Sequence, residues 1–176
     1  MAARDPELQA LLDKQAIHEL LVRYTRGIDR ADVELLRSCY HEDATEDHAG
    51  VFVGRAMDYI AHIEHALPRA RVMTHAVSNV LIELEGDVAW AEAYVTTYAR
   101  MKKGEQRFDT MTLARTFDRV ERRDGVWRIA ARRMSLEWNH DLEIAEGWGH
   151  GLIVPPDATP VRGAKKPDDM IYQREQ

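Results

Sequence analysis

The chain has 176 residues, enough for one domain with a sizeable core and short for two. Hydrophobic residues make up 45% and charged residues 31%, a balance that excludes disorder, and no apolar run approaches the roughly 20 residues of a membrane-spanning helix. The net charge is −6, with 24 Lys and Arg interleaved among 30 Asp and Glu, which excludes a broad cationic face for nucleic acid.

From Glu7 to about Arg26, Leu8, Leu11, Leu12, Ile17, Leu20, Leu21 and Tyr24 recur with the 3.6-residue period of a helix that buries one stripe. The charged residues before it leave no signal-peptide core, and the chain is expected in the cytoplasm. Gly27 is expected to end or bend the helix. Asp32 is placed to cap a second, short helix carrying Val33, Leu35, Leu36 and Tyr40, because its carboxylate can accept from the unpaired N–H groups of the first turn. Cys39, the single cysteine, has no disulfide partner in the chain and reads as a small core residue. HEDATEDHAGVFVG reads as a loop and a short hairpin punctuated by Gly50 and Gly54, with His41 and His48 flanking a solvated acidic run. A third helix is expected from Arg55 to about Leu67, closed by Pro68.

After Pro68 the period changes from helical to alternating. Residues 71–85, 88–101, 106–122 and 126–138 read as long strands, joined by Glu-Gly-Asp, Lys-Lys-Gly-Glu and Arg-Asp-Gly turns that make neighbours antiparallel. Helices first and a meander afterwards predict an α+β domain over residues 1–139. Its expected shape is a cone-shaped α+β barrel, three N-terminal helices packed on a strongly curved, mainly antiparallel sheet with a cavity between the layers. Residues 140–176 lose periodicity and are rich in Gly and Pro. They are expected to form a tail whose Trp148, Ile153 and Val154 pin it across the cavity mouth or onto another subunit.

Some chemistries lack their residues. His62 and His65 share a helix face without a third ligand, so no metal is expected. Ser38 and Ser135 lack a nucleophile elbow, and no Gly-rich strand–turn–helix stands ready for a dinucleotide, so no cofactor is expected.

Three local patterns point further. AIHELLVRYTRGID closes the first helix with Asp29, five residues after Tyr24; THAVSNVLIELEGD places His75 in an apolar strand; ERRDGVWRI forms the last hairpin. Together with the order of elements over about residues 8 to 138, they make the chain resemble the SnoaL-like family of the nuclear-transport-factor-2-like superfamily, which includes dehydratases, dehydrochlorinases and isomerases. The resemblance implies a catalytic Asp29 and His75, with Tyr24 as a further catalytic residue. No histidine stands between His75 and His140, so a second histidine on a later strand, which scytalone dehydratase uses, is lacking.

The chemistry is coherent. A neutral imidazole is well matched to take a proton near neutral pH. A carboxylate on one ring nitrogen fixes the tautomer and stabilises the imidazolium. The expected activity is that of a cofactor-independent lyase or isomerase on a small apolar, cyclic substrate, with Tyr24 donating to a departing hydroxyl or developing enolate. Tyr40, Asn79, Tyr94 and Tyr98 sit on segments that can face the cavity and are candidates for substrate binding. A homo-oligomer, dimer or trimer, is expected from the resemblance. Two other readings stay open: a binding protein of the same fold without chemistry, and a structural small subunit of an oxygenase.

Overall fold

A computed structural model describes residues 5–70, 72–150, 152–155 and 157–173. Arg71, where the first long strand was expected to begin, lies outside the described residues. Helix α1 spans Pro6–Arg30, with Pro6 in its first turn and the Asp5 carboxylate accepting from the Glu7 N–H at 2.8 Å. Its inward stripe is Ile17, Leu20, Leu21, Tyr24 and Ile28.

Gly27 does not end this helix. The helix continues to Arg30 and stops at Ala31, whose backbone is left-handed (φ 53°) and whose N–H returns to the Gly27 and Ile28 carbonyls. Gly27 serves close packing instead, since a Cβ built there would lie 2.8 Å from Leu36 Cγ. This contact lets α2 (Val33–Ser38) fold tightly back, capped as expected by Asp32, which accepts from the Leu35 N–H at 3.2 Å.

The segment read as a loop is β1, Tyr40–Asp47, which hairpins with the short β2, Val53–Arg55. It lies parallel to the last strand, with Tyr40, His41, Ala44 and Glu46 buried. Partnership with that distant strand, rather than local propensity, makes this acidic stretch extended. Helix α3 is shorter than expected, Ala56–Ile63, and Pro68 falls inside a single 3₁₀ turn, Leu67–Arg69.

The long strands are β3 (Met73–Glu85), β4 (Val88–Lys103), β5 (Gln106–Arg123) and β6 (Val126–Leu142). They form the expected antiparallel meander, and the whole sheet runs β2-β1-β6-β5-β4-β3. Asp124 and Gly125 both adopt positive φ in the β5–β6 turn, the geometry an Asp-Gly hairpin requires.

Two of the three bulges in the meander decide which side chains face inward at the site. Between Ser78 and Leu81, β3 carries one residue more than β4, so His75 and Val77 are followed on the inner face by Val80 and Ile82 rather than by Asn79. At Ala130, β6 carries one residue more than β5, so Trp127 and Ile129 are followed inward by Arg132 and Met134. Helix α1 lies across this curved sheet, chiefly against β3, and Ile17, Leu20, Leu36, Ile60, Val120 and Ile129 are fully buried between the layers. Burial of each such side chain contributes about 1.5–3 kcal/mol.

After β6 the chain returns to the α1–α2 junction through polar contacts. Lys165 Nζ donates to the Asp29 carbonyl at 2.7 Å, the Lys166 N–H to the Arg30 carbonyl at 2.8 Å, and the Tyr172 hydroxyl to Asp32 at 2.9 Å. Of the apolar residues named for the tail, Ile153 is exposed on this chain, Val154 is half-buried, and Trp148 packs under Arg162.

Candidate active site

The last turn of α1 and the start of β3 meet at Asp29 and His75. Asp29 accepts twice from His75, from the backbone N–H at 3.0 Å and from ring Nδ1 at 2.6 Å. A carboxylate can only accept, so Nδ1 carries a proton, and in the neutral ring the lone pair is on Nε2. His75 lines a cavity of about 760 Å³ and Asp29 does not, so the carboxylate stands behind the ring and Nε2 is the nitrogen available to a ligand.

The cavity lies between the helices and the concave face of the sheet. Leu21, Ile28 and Ile63 line its helical side; Met73, Val77, Val95, Ala114 and Met134 line its sheet side. In these apolar surroundings each polar group acts more strongly than it would in water. Tyr24 also lines it. Among the described residues its hydroxyl is buried without a hydrogen-bond partner, and burial pushes its pKa up to about 12, with the Arg132 charge opposing. The hydroxyl is therefore neutral near pH 7.

Arg132 was not among the expected site residues. Its guanidinium lies 4.0 Å from the Tyr24 ring centre and pairs with Asp118 through two hydrogen bonds of 2.7 and 2.6 Å. Burial works against the Arg132 charge, and its surroundings, with the paired Asp118 carboxylate foremost, outweigh it and hold the guanidinium protonated. The Ala130 bulge hid it from strand alternation, which would turn Arg133 inward instead. His48 and Tyr59 also line the cavity. The acidic residues before His48 disguised the strand that leads to it as a solvated loop, and the available signal was the β-compatible run Tyr40–His41 before them.

The remaining candidates are not brought to the cavity. Tyr40 is buried beneath it, its ring edge-on to Tyr24 and its hydroxyl donating to Glu46 at 2.7 Å. Asn79 is exposed at the β3 bulge with φ 50°. Tyr94 and Tyr98 alternate with the cavity-lining Ala93, Val95 and Thr97 and so take the other face of β4. The Tyr98 hydroxyl bonds Asp109, and Tyr98 lines an outer groove of about 980 Å³ shared with the tail. Among the described residues, no three His, Cys, Asp or Glu side chains gather as a metal-binding cluster, and no helix is long and apolar enough to cross a membrane.

A mixed, mostly antiparallel curved sheet closed over three helices around an apolar cavity defines a nuclear-transport-factor-2-like cone. The family model described as the SnoaL-like domain matches residues 9–133, and the chain belongs to that family. Among solved structures, a candidate scytalone dehydratase from Novosphingobium aromaticivorans superposes with a TM-score of 0.69 at 22% identity, covering 77% of this chain and 91% of its own. A hexachlorocyclohexane dehydrochlorinase from Novosphingobium barchaimii gives 0.69 at 21%, covering 79% and 98%. A Mycobacterium tuberculosis protein of unknown function gives 0.63 at 25%, covering 77% and 78%. No curated protein matches the chain significantly.

Proposed function

We propose that the protein is a cofactor-independent lyase or isomerase of the SnoaL-like family, acting on a small apolar, cyclic substrate. The observation that carries this reading is the double hold of Asp29 on His75 at the wall of the cavity. Nε2 of His75 takes a proton from carbon, and Asp29 stabilises the imidazolium that forms. The electrons released then expel water or another leaving group, or migrate as a double bond. The Tyr24 hydroxyl, buried and unpaired among the described residues, donates to a departing hydroxyl or a developing enolate. The likeness to proteins named for dehydration and dehydrochlorination supports elimination as the reaction class.

The test is incubation with a panel of hydroxylated, chlorinated and unsaturated cyclic compounds, followed by mass spectrometry, with His75→Ala alongside. The expected result is turnover of at least one compound, reduced at least about a hundredfold in the variant. A compound consumed equally fast by both proteins overturns the role of His75. A compound bound and recovered unchanged throughout favours a binding protein instead.

A further inference from the structure

A second histidine–carboxylate pair stands at the same cavity at the end of β1, with His48 on the wall and Glu46 behind it. Glu46, whose side chain is fully buried, accepts from His48 Nδ1 at 2.9 Å through Oε1 and from the Tyr40 hydroxyl at 2.7 Å through Oε2. Both carboxylate oxygens are thus engaged, and among the described residues neither is bonded to a Lys or Arg. On its other side, His48 Nε2 lies 3.3 Å from the Tyr59 hydroxyl, and the two rings stack with centroids 4.7 Å apart. His48 and Tyr59 both line the cavity, so a continuous hydrogen-bonded line runs from a buried carboxylate to a tyrosine on the cavity wall. A buried carboxylate costs free energy unless its partners compensate it, and the hydrogen bonds from His48 Nδ1 and the Tyr40 hydroxyl are the partners found here.

We propose that Glu46, His48 and Tyr59 form a second acid–base end of the cavity, delivering a proton to an oxygen leaving group while His75 removes one from carbon. The substrate is then a cyclic compound with a hydroxyl adjacent to an acidified C–H bond, and the reaction is dehydration. The inference rests on the His75–Asp29 reading for the carbon proton. In the step, the C–H proton passes to His75 Nε2, the C–H electron pair becomes the new double bond, and the C–O bond breaks. The departing oxygen takes the Tyr59 proton and leaves as water. His48, in its imidazolium form, returns a proton from Nε2 to Tyr59 and becomes neutral, with Nδ1 still donating to Glu46. The net charge is conserved: His75 ends protonated and His48 neutral, and solvent exchange resets both. This assignment leaves Tyr24 for a developing enolate oxygen.

The test needs no known substrate. Protein labelled with ¹⁵N-histidine is titrated with 2-naphthol, and the ring nitrogens of His48 and His75 are followed by NMR. The expected result is a shift at both histidines, with the His48 response lost and the His75 response kept in Tyr59→Phe. A shift at His75 alone overturns the second acid–base end and leaves the His75–Asp29 reading standing. A His48 shift that survives Tyr59→Phe overturns delivery through the tyrosine. No shift at either histidine removes the cavity as a binding site, and both readings fall with it. Where the panel above yields a hydroxylated substrate, Tyr59→Phe and His48→Gln are each expected to slow water loss at least about tenfold, and an unchanged rate overturns the proposal.

Discussion

Asp29 and His75 are joined at two points, backbone and ring, across 46 residues of chain. The backbone bond fixes where β3 passes the end of α1, and the ring bond fixes the tautomer. Asp29→Asn keeps a group of the same size but offers its amide NH₂ or a weaker acceptor to the ring, so the tautomer is no longer enforced. Activity is expected to fall at least about a hundredfold. Steady-state kinetics beside far-UV circular dichroism checks this; an activity within a few-fold of wild type, with the fold intact, counts against the pair.

Tyr24→Phe separates catalysis from stability. The lost hydroxyl has no partner among the described residues and is buried, so its removal is expected to be neutral or stabilising by up to about 1 kcal/mol. Turnover is expected to drop nonetheless. Chemical denaturation and kinetics on the same preparation read both, and a marked loss of stability means that the hydroxyl is paired in solution.

Gly27→Ala is a packing test. In an exposed helix this change gains about 1 kcal/mol. Here the new methyl would meet Leu36 Cγ at 2.8 Å and the Leu36 backbone nitrogen at 3.2 Å. A net destabilisation of about 1–3 kcal/mol is expected as α2 is pushed away from α1. A melting temperature at or above that of wild type contradicts it.

Asp118→Ala strips the buried Arg132 of its paired carboxylate. Because an uncompensated charge then remains inside, the expected cost is about 3–5 kcal/mol, well above that of an ordinary surface substitution. Urea denaturation measures it. A change below about 1 kcal/mol would mean that water or another anion reaches the guanidinium.

Acid is expected to release the tail before it unfolds the cone. Arg100 holds the Asp109 carboxyl below its ordinary pKa, and Arg100 with Arg162 does the same for Glu146. Burial alone would raise Asp32 and Asp169. Lys166, the Leu35 N–H and Tyr172 outweigh it at Asp32, and the Ala164 and Ile171 N–H groups with Arg30 outweigh it at Asp169. A carboxyl whose folded pKa is depressed stabilises above its unfolded value and loses that contribution as pH falls through the folded one. All four lie on the tail or its docking sites, so attachment weakens below about pH 4. Limited proteolysis by an acid-active protease, scanned over pH, is expected to cut the region after β6 first; cleavage of the cone at the same pH as the tail contradicts this.

The α+β class and the four long strands were legible because each rests on a short-range pattern: a 3.6-residue stripe in α1, alternation in β3 to β6, and Asp-Gly or Glu-Gly punctuation between them. Asp29, His75 and Tyr24 were legible through the family resemblance, and the structure brings Asp29 and His75 together while placing Tyr24 on the cavity wall. Three things belonged to tertiary structure alone. The bulges at Asn79 and Ala130 reverse strand parity part-way along, which turns Asn79 out and Arg132 in, and no local pattern encodes where a ladder gains a residue. The strand at Tyr40–Asp47 exists because β6 pairs with it across some 90 residues of chain; that pairing buries Glu46 beside His48 and makes an acidic stretch part of the cavity. The polar docking of Lys165, Lys166 and Tyr172 on the α1–α2 junction depends on where the chain returns after β6. Local periodicity reports which residues seek the interior, and only the folded chain decides which of them meet there.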